Sequence, residues 1–197
     1  MTKSNFVPDS TPIPAIYVPD YERLKEIVED LRKQGKKIVL TQGSWDMFHI
    51  GHALYIEKAR TFGDILIVGV DSDALIKKEK GPNRPVHPEM ERVPVVARLK
   101  SVNIVTLRYA EHKVGDLVRV VRPDVFVISE TTTSRNPNIV NEMLEEHKGV
   151  CGDIKVLEAQ AKTSASEKIR HLILEGVSQL EATILQAIAV FKKNFKP

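Results

Sequence analysis

The residues best placed to do chemistry lie in Gly43-Ser44-Trp45-Asp46-Met47-Phe48-His49-Ile50-Gly51-His52. The apolar run Ile38-Val39-Leu40 precedes this stretch, and a segment with helical periodicity follows it to Phe62. It therefore sits where a strand hands over to a helix. Histidines three apart at a helix start lie on one side of it. Gly51 between them lets a ligand approach the backbone closely. A helix start also presents backbone N–H groups and the positive end of the dipole, which suit phosphate. The chemistry expected is binding of a nucleoside triphosphate, with His49 and His52 steadying charge as one phosphate leaves. Taken alone, the pair also fits two structural histidines. Zinc fits less well, because no cysteine or third histidine lies nearby in sequence.

Two other polar clusters follow apolar runs. The first is Lys77-Lys78-Glu79-Lys80-Gly81-Pro82-Asn83-Arg84-Pro85, with Arg92 beyond it. Taken alone, this charge run reads as a solvated loop. The second is Lys162-Thr163-Ser164-Ala165-Ser166, which carries a helix-capping spacing from Ser164 to Glu167.

The elements that must position these clusters alternate. A helix over Tyr21–Gln34, with Leu24, Ile27, Val28 and Leu31 at helical spacing, stops at Gly35 and leads into the strand Ile38–Thr41. The run Ile65–Val70 suits a strand buried on both faces of a parallel sheet. Helices near Pro88–Leu99, Val114–Val121 and Asn138–His147 alternate with strands at Asn103–Leu107, Val125–Ile128 and Ile154–Leu157. This order predicts an α/β fold, a Rossmann-like, doubly wound parallel sheet with an extra C-terminal helix. Ligands of such sheets bind at the carboxyl ends of the strands, where all three clusters fall.

Four prolines among residues 1–19 predict an extended N-terminal arm. The nucleotide site is expected in residues 20–175. Gly176 is expected to break the chain before a helix over 176–197, whose stripe of Leu180, Ile184, Ile188 and Phe191 offers a dimer surface.

The ten-residue stretch resembles the Gly-x-Phe-Asp-x-x-His-x-Gly-His signature of the cytidylyltransferase-like nucleotidyltransferases, with Trp45 in place of the usual phenylalanine. The likeness covers roughly residues 20–172. It is strongest to the adenylyltransferase domains that make ADP-heptose, through Val68-Gly-Val-Asp-Ser-Asp73 and Lys80-Gly81, Arg84-Pro85-Val86, Pro88 and Glu91-Arg92. The resemblance implies transfer of a nucleotidyl group, AMP from ATP in the adenylyl branch, to a phosphorylated sugar with Mg²⁺ present. It implies His49, His52, Lys80 and Arg92 as catalytic residues. Gly43, Ser44, Trp45, Asp46, Gly51, Lys162, Thr163, Ser164 and Ser166 would surround the nucleotide, Asp46 by fixing the turn. Lys78, Arg84, Ser129 and Glu130 would face the acceptor, with Arg84 also placed to brace its loop. A CTP-dependent enzyme for a phospho-alcohol, a flavin-adenylylating enzyme and a non-catalytic nucleotide-binding module remain alternatives. Two departures stand out. Ala165 replaces a hydroxyl residue, and Ser129–Ser134 lacks the Lys-Gly-Gly-Asp pattern of heptose enzymes.

Composition sets the outer bounds. The 197 residues are 42% hydrophobic and 28% charged, which is ordinary globular usage with enough chain for a core. A net charge of +3 suits an anionic small molecule and is too small to argue for nucleic acid. The single Cys151 allows no intrachain disulfide and is read as inert. No run is read as long enough to span a membrane, and residues 1–10 lack a signal core. The expectation is a soluble, cytoplasmic homodimer that binds neither membrane nor nucleic acid. His87, His112, His147 and His171 are expected at the surface.

Overall fold

The computed structural model describes residues 15–112, 115–130, 138–146, 148–161 and 165–194. The chain divides into two compact units, Met1–Lys162 and Thr163–Pro197.

The first unit is built on six parallel strands: β1 (Ile16–Tyr17), β2 (Ile38–Gly43), β3 (Ile65–Asp71), β4 (Ile104–Arg108), β5 (Val125–Ser129) and β6 (Asp153–Leu157). Their spatial order is β1-β4-β3-β2-β5-β6. From β2 the chain winds outward through β3 to β4, then returns to place β5 on the other side of β2. The strand order therefore reverses between β2 and β5. In open α/β sheets such a reversal is where ligands bind, at the carboxyl ends of the strands.

Among the described residues the helices of this unit are α1 (Tyr21–Lys33), α2 (Ile50–Arg60), α3 (Asp73–Lys80), α4 (Glu89–Ala97), α5 (Asp116–Val121) and α6 (Ile139–Glu146). The sheet has a core on each face. Leu66, Val68 and Val70 of β3 pack with Ile56 of α2 and Val96 of α4. Ile38 and Leu40 of β2 pack on the opposite side with Leu24 of α1 and Leu117 of α5. Burial on both faces explains why these strands read as unbroken apolar runs.

The proline-rich arm ends in structure that its sequence hides. Ile16 and Tyr17 pair in parallel with Ile104 and Val105, and Ala15 and Val18 are buried. The Lys77–Lys80 run, read as a loop, lies in helix α3. Ser72 caps α3 by accepting the Leu75 N–H at 3.2 Å, and Gly81 ends it at φ +95°. His112 is not the surface residue expected. Its Nδ1 is buried, and its ring lies 4.4 Å from that of Tyr21. His147 lies outside the described residues.

The described residues of the second unit form one helix, α7 (Ala165–Asn194). It runs without interruption through Gly176, where a break was expected. One glycine costs about 1 kcal/mol in a helix, which thirty residues absorb. The second capping spacing, Ser178 to Glu181, therefore lies mid-helix. Ile169–Phe191 is long and apolar enough to cross a membrane by length and composition, a stretch that counting apolar runs missed.

Candidate active site

The turn from β2 into α2 is held in a strained shape. Trp45 and Met47 both adopt left-handed backbone, at φ +50° and +48°. Such conformations cost roughly 1–2 kcal/mol each and need anchoring. Trp45 supplies one anchor. Its ring is 6% exposed within the core, and its indole N–H donates to the Gly69 carbonyl at 2.9 Å. A phenylalanine could not make this bond. Trp45 is thus part of the wall rather than a surface for stacking a base. On the α5 side Gly69 is closely packed: a Cβ there would fall 2.7 Å from Leu117 Cδ2 and 3.1 Å from Gln42 Cβ.

Asp46 supplies the second anchor. It is 2% exposed and accepts from the backbone N–H groups of Met47, Val86 and His87 at 3.0–3.2 Å. Arg84 Nη2 pairs with it at 2.8 Å. Burial raises the Asp46 pKa. The N–H groups of His87 and Val86, the Arg84 guanidinium and the Met47 N–H outweigh burial and hold it below the usual carboxylate range. Asp46 therefore fastens the histidine turn to the loop before α4. Arg84, expected near the acceptor, braces that loop. His87 also belongs here, with Nδ1 3.5 Å from the Asp46 carboxylate.

His49 is the N-cap of α2, in extended backbone at φ −143°, ψ 172°. Its Nδ1 accepts the Gly51 N–H at 3.1 Å. An accepting Nδ1 places the ring proton on Nε2. The Gly51 amide, expected to be open for phosphate, is therefore already used. His52 stacks on His49 with ring centres 3.9 Å apart and 22° between planes. A Cβ on Gly51 would lie 3.0 Å from the His49 ring, so a side chain there would press on the stack. Trp45 and Phe48 enclose His52 at 5.6 and 5.3 Å. Burial pushes the His52 pKa down to about 4, helped by His49 and Lys80 and opposed by Asp46. At neutral pH His52 is an uncharged ring, and its buried Nδ1 has no hydrogen-bond partner.

Lys80, in the last turn of α3, reaches the turn and donates to Ser44 Oγ at 2.9 Å. Lys78 does not share that direction. Two residues along a helix turn the side chain by roughly 200°, whereas three bring it back to the same side. Lys77, not Lys78, shares the Lys80 face. The two-residue spacing suited a loop and loses its meaning in a helix.

Arg92 is 2% exposed, and each of its three side-chain nitrogens donates within the protein. It donates to the carbonyls of Ser44 and His87 and to Asp73 Oδ1, the last at 2.7 Å. Asp73 and Glu89 also cap each other's backbone N–H at 2.8 and 2.9 Å. In this structure Arg92 is therefore a brace joining α3, α4 and the Ser44 turn, not an open phosphate ligand. Ser44, expected beside the nucleotide, is where Lys80 and Arg92 converge. Gly43, the last residue of β2, keeps only an ordinary 3.5 Å contact between a built Cβ and the Trp45 ring.

Ser129 ends β5 and Glu130 follows it, across the strand-order reversal from Gly43 and Ser44. Lys162, Thr163 and Ser164 lie outside the described residues, as does the side chain of Ser166. Cys151 is half-buried, its thiol pushed up by burial, and donates to the Asp153 carbonyl at 3.3 Å. His171 is exposed on α7, 3.9 Å from Glu175.

Sequence reasoning missed a further polar group. Gln42, Gly69 and Thr106 lie side by side on three adjacent strands. Gln42 Oε1 and Thr106 Oγ1 are buried without partners, as is Tyr21 Oη. Two register steps further on, Asp71 and Arg108 form a buried pair at 2.9 Å. The only signal in sequence was a polar residue interrupting each apolar strand.

A profile of the cytidylyltransferase-like family matches residues 40–172. This chain belongs to the cytidylyltransferase-like family. The domain is a nucleotidyltransferase, and it carries the strand order and histidine turn described above. Among curated relatives, the bifunctional protein HldE of Nitratiruptor is 41% identical over 111 residues, covering 56% of this chain and 24% of that protein. HldE of Syntrophotalea carbinolica is 33% identical over 155 residues, covering 79% of this chain and 31% of that protein. The chain thus spans about a quarter to a third of these relatives. Two solved structures share the fold. One is a lipopolysaccharide core biosynthesis protein from Thermoplasma volcanium, at TM-score 0.53 and 22% identity, covering 66% of this chain and 100% of that one. The other is the pantoate-β-alanine ligase of Francisella tularensis, at TM-score 0.57 and 16% identity, covering 75% and 68%.

Proposed function

We propose that this chain transfers AMP from ATP to the phosphate of a phosphorylated sugar, releases pyrophosphate, and works as a cytoplasmic homodimer. The observation that carries the reading is the His49–His52 stack at the start of α2, faced by Lys80 beside the β2–β5 crevice. The likeness to ADP-heptose-forming domains supports the choice of nucleotide and acceptor.

In this reaction an acceptor phosphate oxygen attacks the α-phosphorus. A new P–O bond forms, the α–β bridging bond breaks, and pyrophosphate leaves with the electron pair. The acceptor is already an anion at neutral pH, so no protein nucleophile or base is required. Catalysis is positioning and charge stabilisation. His49 donates from Nε2 to a phosphate oxygen, and neutral His52 stacks behind it and fixes its plane. Lys80 exchanges Ser44 Oγ for a phosphate oxygen. Arg92 and Asp46 act through the turn they hold, as positioning residues. Ser129 and Glu130 face the acceptor.

Mg²⁺ enters as part of the substrate, on the triphosphate. Among the described residues no cluster of three His, Cys, Asp or Glu side chains could hold a resident ion, and Asp46 is spent on the loop.

Pyrophosphate release with ATP, CTP and GTP against sugar 1-phosphates, glycerol and choline phosphates and FMN tests the proposal. Release with ATP and a heptose or hexose 1-phosphate is expected. Preference for CTP with an alcohol phosphate, or for ATP with FMN, would overturn the acceptor assignment. No release with any pair would leave a nucleotide-binding module.

A further inference from the structure

The carboxyl ends of β2, β3 and β4 carry a polar cluster that the proposed chemistry leaves unused. Side chains alternate between the two faces of a strand. Gln42 of β2, Gly69 and Asp71 of β3, and Thr106 and Arg108 of β4 therefore share one face, the one covered by α1 and α5. Leu117 of α5 packs over Gly69. Thr106 is fully buried, and the Asp71–Arg108 pair lies one side-chain layer nearer the strand ends. Tyr21, which opens α1, has its phenol within electrostatic reach of Arg108 and Asp71, and its ring meets that of His112. Tyr21, Gln42 and His112 are only half-buried, so the cluster has a rim.

Four atoms around the ion pair are buried and have no hydrogen-bond partner among the described residues: Gln42 Oε1, Thr106 Oγ1, Tyr21 Oη and His112 Nδ1. Buried polar groups are costly when unmet, and four at one end of a sheet call for a guest. Their chemistry describes it. Gln42 Oε1 only accepts, the two hydroxyls donate and accept, and an uncharged imidazole nitrogen does one or the other. Asp71 and Arg108 neutralise each other, so the site asks for no net charge. Alcohol hydroxyls, several on one small molecule, answer this set. A quaternary ammonium brings no donor and would leave Gln42 Oε1 unmet.

The cluster also adjoins the transfer site. Gln42 precedes Ser44, the partner of Lys80, by two residues, at most roughly 7 Å along extended chain. A phosphorylated sugar spans that distance.

We propose that Gln42, Thr106, Tyr21 and His112 form a hydroxyl-reading pocket for the sugar of the acceptor and determine which phosphorylated molecule is used. This rests on the sugar-phosphate reading given above. A site built around hydroxyls rejects analogues that lack them, because its own polar groups are then left unpaired.

The test is binding without turnover, by isothermal titration calorimetry of the full chain. The probes are a D-manno-heptose 1-phosphate, D-mannose 1-phosphate and inorganic phosphate, each titrated with the unreactive α,β-methylene-ATP bound. Wild type is expected to bind one of the sugar phosphates at least about tenfold more tightly than inorganic phosphate. Thr106→Val and Tyr21→Phe each remove one hydroxyl and keep the shape. Each is expected to weaken that sugar phosphate about tenfold, with inorganic phosphate and the ATP analogue within about twofold of wild type. Unchanged sugar-phosphate affinity in both variants overturns the proposal and gives the pocket to buried water. A weakened ATP analogue with unchanged sugar phosphate also overturns it, by giving the pocket to the ribose. So does a wild type that shows no preference over inorganic phosphate. Pyrophosphate release from a sugar phosphate, beside unchanged variant affinities, would keep the transfer reading and sink the pocket alone.

Discussion

Asp46 and Arg84, thirty-eight positions apart, meet in a 2.8 Å ion pair whose carboxylate has no solvent exposure. With the N–H groups of Val86 and His87 on the same carboxylate, the pair makes the histidine turn and the loop before α4 one body. Asp46→Asn keeps the shape and removes the charge. It is expected to lower unfolding free energy by roughly 1.5–3 kcal/mol, the usual value of hydrogen bonds to a charged group. Urea denaturation measures this. A loss under 0.5 kcal/mol would mean that the loop is held elsewhere.

His52 makes stability depend on pH with a definite sign. Its pKa is about 4 in the folded chain against an ordinary 6.5. Between these values the unfolded chain takes up a proton that the folded chain refuses. Stability from this group therefore falls as pH drops from 6.5 toward 4 and is flat above. His52→Asn is expected to flatten the melting temperature measured against pH over that window. Identical wild-type and variant profiles would remove His52 as the source.

For the reaction itself, His52→Ala is expected to lower kcat by a factor on the order of 10²–10³, because the His49 ring loses the stacking partner that fixes its donor in a preorganised site. Single-turnover rates at saturating ATP measure it, with circular dichroism confirming the fold. Near-normal turnover would exclude His52 from the chemistry.

Lys80 and Lys78 separate the helix from the loop reading. Lys80→Ala is expected to cost on the order of 10²-fold in kcat/KM for the triphosphate. Lys78→Ala, directed to another side of α3, should stay within about threefold. Equal losses would show that α3 unwinds in the working enzyme and that the two-residue spacing matters after all.

Trp45→Phe isolates the indole N–H. Ring packing is largely kept, while the Gly69 carbonyl loses its donor. A cost of about 1 kcal/mol is expected. Equal denaturation midpoints would show that the hydrogen bond contributes nothing.

Much of the frame was legible because burial on both faces writes itself as unbroken runs such as Ile65–Val70, and because His-x-Gly-His sits at a strand-to-helix boundary. Helix α3 was missed because only Leu75 and Ile76 of its eight residues are buried, so it has almost no apolar period. Its ends are marked only by Ser72, the N-cap, and by Gly81. Arg92 was misjudged for a different reason. Its partners, Ser44, Asp73 and His87, converge only after three elements fold, and a motif shows a residue type without its hydrogen bonds. Gly176 was given too much weight, since one poor helix former cannot divide a long strong one.

The two-residue strand β1 has an effect out of proportion to its length. It lies at the edge of the sheet and covers the rim of β4, whose backbone groups would otherwise stand open as a template for another chain. Ala15 and Val18 on either side of it plug the core beneath. A shortened chain that starts at residue 20 would keep every residue of the proposed chemistry and still be a poor reagent. It would bare a sticky β edge and tend to aggregate before its activity could be measured.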